Sequence, residues 1–241
     1  YLVWSKNIKV VVLTNLFSCV IMNEAINENY TKFYLERKNN KLYPTEFVVR
    51  TFLASYPNLK FEKGTTGGSK ILDIGFGDGR NACFLKEQGY DVHGIEITQG
   101  IVDTALERMH RLGFEADMRV GRNSQIPFED VYFDFLLACN SCYYCDENEV
   151  FEDNLREFVR VLKPGGWFVF SVINQENYTV KDGERLPDGH TICVSDPYGT
   201  RVGYKLRAFE SIQEIESEFS SYFENFSFAI ANNNYYGIEE K

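Results

Sequence analysis

The sequence predicts an α/β protein, a doubly wound and mostly parallel sheet held in a three-layer α/β/α sandwich. Three observations carry this. Short apolar runs alternate with helix-length amphipathic stretches from Lys70 to Val172, the pattern of a parallel sheet built from crossover units. The run Phe133 to Ala138 has a single charged residue, Asp134, and otherwise reads as a strand buried on both faces. The stretch Lys70 to Thr98, KILDIGFGDGRNACFLKEQGYDVHGIEIT, reads as strand, glycine turn, helix and strand, a nucleotide-binding βαβ unit.

Composition bounds the rest. The 241 residues suit one domain, and 44% hydrophobic residues are enough for a buried core. A net charge of −10 argues against a general nucleic-acid binder, which needs a basic face to neutralise phosphates. The six cysteines do not form the framework of a small secreted protein, so they are expected to be reduced thiols in a cytoplasmic protein. Cys139, Cys142 and Cys145 have a C-x2-C-x2-C spacing. With no fourth cysteine at ligand spacing after them, they are read as buried thiols, and no metal is expected.

Residues 1–21 are read as an extension outside the domain. Ile8 to Ile21 is mostly apolar, but its fourteen residues are short of the roughly 20 that span a bilayer, so no membrane partner is expected. Three readings stay open: sequence upstream of a start at Met22, a packed element, or a targeting segment. Residues 22–241 are read as one domain.

Within it, residues 23–60 form a helical cap. Tyr30, Phe33, Tyr34 and Arg37 share a helical face by their spacing, and Pro44 opens a second helix with Phe47, Val48 and Phe52. The pair either covers one sheet edge or brings Tyr30, Tyr34 and Arg37 over a substrate pocket. Ile71 to Ile74 is the first strand. A helix from Arg80 closes at Gly89, and Val92 to Ile95 is the second strand, ending in Glu96. A helix from Gly100 to Leu112 closes at Gly113, and Ala116 to Val120 is the third strand. After the loop 121–130 comes the fourth strand, Phe133 to Ala138.

Asp146 and Glu149 predict a capping box for a helix with an apolar stripe at Phe151, Leu155, Phe158, Val159 and Leu162. Leu162 to Gly166 ends that helix, and Trp167 to Val172 is the fifth strand. Residues 174–206 predict an irregular insertion, too long for a simple connection and therefore functional. Ser211 and Glu214 start a last helix. Phe226 to Ala231 predicts a sixth strand, and the chain stops at Lys241 before another strand-length apolar run, as if the last strand were truncated.

The nucleotide is decided by detail. A dinucleotide fingerprint G-x-G-x-x-G/A fails at Arg80. The pattern Asp73-x-Gly75-x-Gly77-x-Gly79 instead resembles motif I of the class I S-adenosylmethionine-dependent methyltransferases. Glu96 at the end of the second strand, Ile126 to Asp134 before and within the fourth, and LKPGG followed by WFVFS resemble further motifs of that family, in order, over residues 68–172. The resemblance implies a Rossmann-like fold, S-adenosyl-L-methionine as cofactor and methyl transfer as the activity.

It also implies roles. Gly75, Gly77 and Gly79 let backbone lie close to the ligand. Glu96 accepts from vicinal ribose hydroxyls. Asp73 and Asp78 place negative charge near the methionine ammonium and the sulfonium. Ile97 packs on the adenine. Arg122 and Asn123 stand in the adenine loop, where many members have an Asp, and Asn123 is assigned the adenine edge. Cys139 and Asn140 face the methionine part and the substrate.

The acceptor is expected to be a small molecule. The stretch ACNSCYY after strand four lacks the NPPY-like tetrapeptide of base or amide N-methylation, so an oxygen or nitrogen of a small metabolite is the expected acceptor atom. Tyr143 and Tyr144 are the aromatic contacts expected for it. The leaving thioether is neutral, so no acid is required, and alignment can supply most of the catalysis. If the acceptor must lose a proton, the candidate base is His190, whose other reading is a solvated loop histidine. Two rivals stand beside the enzyme: a non-catalytic cofactor-binding scaffold or sensor, and a nicotinamide-dependent oxidoreductase.

Overall fold

A computed structural model describes residues 24–53, 67–146 and 148–229. The expectations for residues 1–21, for 54–60 and for the chain end beyond 229 lie outside the described residues.

The five long apolar runs of the sequence form one parallel sheet. Its strands are β1 (Lys70–Ile74), β2 (Asp91–Glu96), β3 (Asp117–Val120), β4 (Phe133–Ala138) and β6 (Leu162–Phe170), in the order β3-β2-β1-β4-β6. The chain runs outward from β1 to β3 and then returns to the other side of β1. A sheet reversed in this way opens a crevice beyond the carboxyl ends of β1 and β4, where ligands of such sheets bind.

Side-chain alternation supplies a core on each face. Leu72, Ile74, Ile95, Leu136 and Ala138 pack with α5 (Phe151–Val161) and α6 (Ile212–Phe219). Ile71, Val92, Phe135 and Leu137 face the other way, against α3 (Arg80–Glu87), α4 (Gln99–Arg111) and α2 (Glu46–Phe52). By the same parity Asp73 and Glu96, at the carboxyl ends of neighbouring strands, lie on the α3/α4 face. Helix α1, residues 24–36, lies beside them.

Helix ends follow the local chemistry. Thr98 caps α4 through its side chain, and Ser211 caps α6 by accepting from the Glu214 N–H at 3.2 Å. Gly89 and Gly113, with φ of 88° and 77°, follow α3 and α4.

Three expectations are corrected. Asp146 does not cap α5: its carboxylate accepts from Arg122 at 2.8 Å, and the helix starts later, where Asp153 accepts from the Val150 N–H at 3.0 Å. An ion pair from another loop outcompetes the local cap. Residues 174–206 are mostly turn and loop, but they are not wholly irregular. They hold β7 (Glu184–Arg185), β8 (His190–Ile192) and the start of β9 (Lys205–Arg207), which join β5 (Tyr144–Cys145) in an antiparallel sheet ordered β5-β9-β8-β7. Strands of two or three residues leave no periodic signal in a sequence. Residues 226–229 form no strand. Phe226 and Phe228 stack at 6.2 Å and pack on the core instead.

Phe219 anchors α6. It is fully buried and meets the rings of Phe151, Phe168, Phe170, Phe209 and Phe223. Phe219→Ala is expected to lower the unfolding free energy by about 3–5 kcal/mol, read from urea denaturation. A loss under 1 kcal/mol would mean that α6 is not part of the cooperative core.

Candidate cofactor and substrate site

The site starts from the turn after β1. Gly75, Gly77 and Gly79 all have positive φ, at 67°, 59° and 75°. At Gly75 a side chain is excluded twice over, because a Cβ there would lie 2.6 Å from the Ser141 Cβ. Ser141 belongs to the loop after β4, and its hydroxyl donates to the Ile74 carbonyl at 2.5 Å. The two strand ends that flank the crevice are thus locked together. Sequence reasoning did not single out Ser141, because its role depends on a partner 67 residues away.

Glu96 organises the turn from the other side. Its Oε1 accepts from the Gly77 N–H at 3.0 Å and its Oε2 from the Ile97 N–H at 2.8 Å. Burial pushes its carboxyl up to about 7, although both amide bonds favour the charged form. Asp73, 1% exposed, has neither carboxylate oxygen hydrogen-bonded. Burial holds it well above the usual carboxylate range, and Glu96 and Asp78 add repulsion. A buried carboxylate without a partner is costly, and a cationic ligand group would satisfy it. Asp78 is already paired, with Arg80 Nε at 2.9 Å.

Helix α1 closes over the turn. The Tyr34 hydroxyl lies where a Cβ on Gly77 would be only 2.6 Å away. Burial raises the Tyr34 hydroxyl, with Glu96 and then Asp78 adding to the effect, so it stays a neutral donor. The Thr31 and Thr98 hydroxyls meet at 2.7 Å. The Tyr30 hydroxyl donates to that of Tyr144 at 3.0 Å, and Tyr144 also accepts from Arg201 Nε at 2.8 Å. Tyr143 stacks on Tyr144, with ring centroids 5.0 Å apart. Arg201 is held by Asp196 at 3.0 Å. The cap, the loop after β4 and the insertion therefore meet in one tyrosine–arginine cluster. Nothing local marks Arg201 in the sequence.

Other expected contacts are placed elsewhere. Arg37 folds back over Phe33, its guanidinium 3.9 Å from the ring centroid, so it stays on its own helix. Arg122 is held by Asp146, and the Asn123 amide donates to the Ser141 and Tyr144 carbonyls at 2.9 and 3.1 Å. Arg122 and the Asn123 amide nitrogen thus brace the loops. Ile97 is half-buried beside Glu96, and Cys139 is half-buried at the end of β4. Asn140, with φ of 59°, is a strained residue next to the crevice, and its N–H donates to Ser171 Oγ at 2.8 Å.

His190 is neither solvated nor free. It is 2% exposed, with Nε2 3.3 Å from the Cys145 sulfur and Nδ1 3.1 Å from Asp188 Oδ1, at an angle that leaves Nδ1 without a directed hydrogen bond. Burial lowers its proton affinity. A thiol, an imidazole and a carboxylate in series have the order of a nucleophilic triad. Cys145, however, is 1% exposed and burial pushes its thiol up to about 12, so the thiolate is suppressed. The cluster is a structural clamp between β5 and β8. Among the described residues no group of three or more His, Cys, Asp or Glu side chains is arranged to hold a metal ion, and no helix is long and apolar enough to cross a membrane.

Residues 72–170 match the family model of a methyltransferase domain. The chain is 29% identical over 142 residues to a bifunctional biotin-biosynthesis protein of Teredinibacter turnerae, covering 54% of this chain and 24% of that protein. It is 27% identical over 178 residues to squalene methyltransferase 1 of Botryococcus braunii, covering 67% of this chain and 45% of that one. The chain thus spans about a quarter to under half of these relatives' length. In fold it is similar to an S-adenosylmethionine-dependent methyltransferase from Methanosarcina mazei, with a TM-score of 0.53 at 22% identity over 64% of this chain and 78% of that one.

Two outcomes test this geometry. The folded Glu96 carboxyl sits near 7 against an ordinary 4.5. The ligand-free fold therefore loses stability as pH rises from about 4.5 to 7, by roughly 3 kcal/mol from this group. Glu96→Gln should flatten that decline in urea denaturation and weaken S-adenosylhomocysteine binding at least tenfold by calorimetry. Affinity within twofold of the parent would exclude Glu96 as a ligand contact. His190→Asn should lower the melting temperature and leave kcat within about threefold, as befits a clamp. A hundredfold loss in a folded variant would restore it as a base.

Proposed function

From the premise that the chain carries a class I S-adenosylmethionine-dependent methyltransferase domain, we propose that it transfers a methyl group to an oxygen or nitrogen of a small-molecule acceptor in the cytoplasm. The observation that carries this is the pair of buried carboxylates under α1. Glu96 is held in place by two backbone N–H groups, and Asp73 has no partner. Such a pair suits a ligand with vicinal hydroxyls and a cationic end.

Bound S-adenosyl-L-methionine supplies an electrophilic methyl group on a sulfonium. Around it, Glu96 would accept from the ribose hydroxyls and Asp73 from the ammonium. Gly75, Gly77 and Gly79 offer backbone at close range. Ile97 would pack on the adenine, and the Asn123 side-chain oxygen, whose amide nitrogen is committed elsewhere, would be free to accept from its edge. Cys139 and Asn140 would face the methionine part. The Tyr34 and Tyr144 hydroxyls would donate to the acceptor, while Tyr30, whose proton is given to Tyr144, and Tyr143 would present aromatic faces to it. Burial holds the hydroxyls of Tyr30 and Tyr143 well above the ordinary tyrosine range, so neither acts as a base. Catalysis then rests on alignment and on exclusion of water.

Calorimetry and a methyl-transfer assay test this together. S-adenosylhomocysteine is expected to bind at micromolar concentration and NAD not at all. A panel of hydroxylated and amino metabolites, given with labelled S-adenosyl-L-methionine, is expected to yield a methylated product. Binding without transfer to any acceptor would favour a scaffold or sensor. NAD binding in its place would overturn the reading.

A further inference from the structure

A second cavity lies away from the tyrosine cluster, between residues 38–44, α3 and the last turns of α4. It has a volume of about 440 Å³, and its walls carry Lys38, Lys41, Arg80, Arg108 and Arg111. Among the described residues Glu87 is its one acidic lining residue. This concentration of cations occurs in a chain of net charge −10, whose overall field repels anions. It therefore reflects local placement and not a general basic character.

Some of these cations are neutralised. Arg80 pairs with Asp78, and Lys38 lies 3.9 Å from Glu107. Arg108 and Arg111 have no carboxylate within ion-pair distance among the described residues. Both donate to neutral groups after α1: Arg108 to the Asn40 and Lys38 carbonyls at 3.1 Å each, Arg111 to the Lys38 carbonyl at 3.2 Å. Two Nη2 atoms that share one acceptor at these distances are at most about 6 Å apart. Arg108 Nε is buried and makes no hydrogen bond. Two converging guanidiniums at positions i and i+3 repel each other, and position near the helix C-terminus offsets that only in part. The clasp on α1 explains their Nη contacts. It leaves the unpartnered Nε and the uncompensated charge unexplained.

We propose that this cavity binds a small organic phosphate, with its oxyanion on Arg108 and Arg111 and its apolar part against Phe84 and Leu112. Planar guanidiniums match phosphate oxygens in bidentate geometry. Phe84 and Leu112 line the same cavity, and Leu112 is 57% exposed. The concave wall suits a discrete ligand better than a flat lipid surface. This assignment does not depend on the methyl-transfer reading.

The test is calorimetry on the full chain with inorganic phosphate and with phenyl phosphate, at constant ionic strength in chloride. Saturable binding of both is expected, with phenyl phosphate at least threefold tighter. The double variant Arg108→Gln/Arg111→Gln should weaken both at least tenfold. Its melting temperature reports whether losing the clasp on α1 unfolds it. If it does, Arg111→Lys and Lys41→Gln decide, each expected to weaken binding at least threefold with the fold intact. Equal affinity for the two phosphates would overturn the apolar half of the site in favour of free phosphate. Absence of saturable binding, or affinity unmoved by every folded variant, would overturn the site. Binding to phosphatidylserine vesicles with no response to either phosphate would overturn the small ligand in favour of a membrane surface.

Discussion

The Glu96 carboxylate is the constraint on which the site depends. It accepts from the N–H groups of Gly77 and Ile97, and so ties the end of β2 to the turn that leaves β1. Without that acceptor two amide donors next to the crevice would need other partners, and the left-handed backbone at Gly77 would lose its brace. The same carboxylate is buried and costly to ionise. The ligand-free protein thus holds two buried carboxyls that resist ionisation, Glu96 and Asp73, where a hydroxyl-rich, cationic molecule would stabilise their charged forms.

Around that point three parts of the chain are fastened by side chains distant in sequence. Ser141 closes the loop after β4 onto the end of β1. Thr31 closes α1 onto Thr98. Tyr144 takes hydrogen bonds from Tyr30 on α1 and from Arg201 in the insertion. Each junction is modest by itself, about 1 kcal/mol net for a neutral hydrogen bond. Their convergence on one crevice makes the cap and the insertion one wall. On the far side of the turn, Arg80 links the Asp78 end of the glycine loop to the basic cavity, while Arg108 and Arg111 hold the chain leaving α1. The helix that covers the site is thereby held at its middle and just beyond its C-terminal end.

The failures of sequence reading share a cause. Asp146 followed by Glu149 is a good capping box by local rules, but Arg122 lies 24 residues away in sequence and 2.8 Å away in space. Arg37 shares a helical face with Tyr34, yet stacking on Phe33 keeps it out of the crevice. His190 in a polar, Gly- and Pro-containing stretch suggests exposure, whereas the pairing of β8 with β9 buries it. In each case a long-range partner captures a residue whose near neighbours argue otherwise. Short antiparallel strands are where this happens most, because two or three residues carry no usable periodicity.

The sequence by itself determined the parallel strands, the helices between them, the glycine turn and the acidic residue that ends the second strand. These are set by side-chain periodicity, by glycine at positive φ and by contacts between near neighbours. Their spacing along the chain also carried the resemblance to methyltransferases. Tertiary structure decided what surrounds that turn: Ser141 against Gly75, Tyr34 over Gly77, Arg201 on Tyr144, and the uncompensated arginines of α4. The first three join residues 43 to 66 positions apart. Nothing local encodes them, because only closure of the sheet brings such positions together.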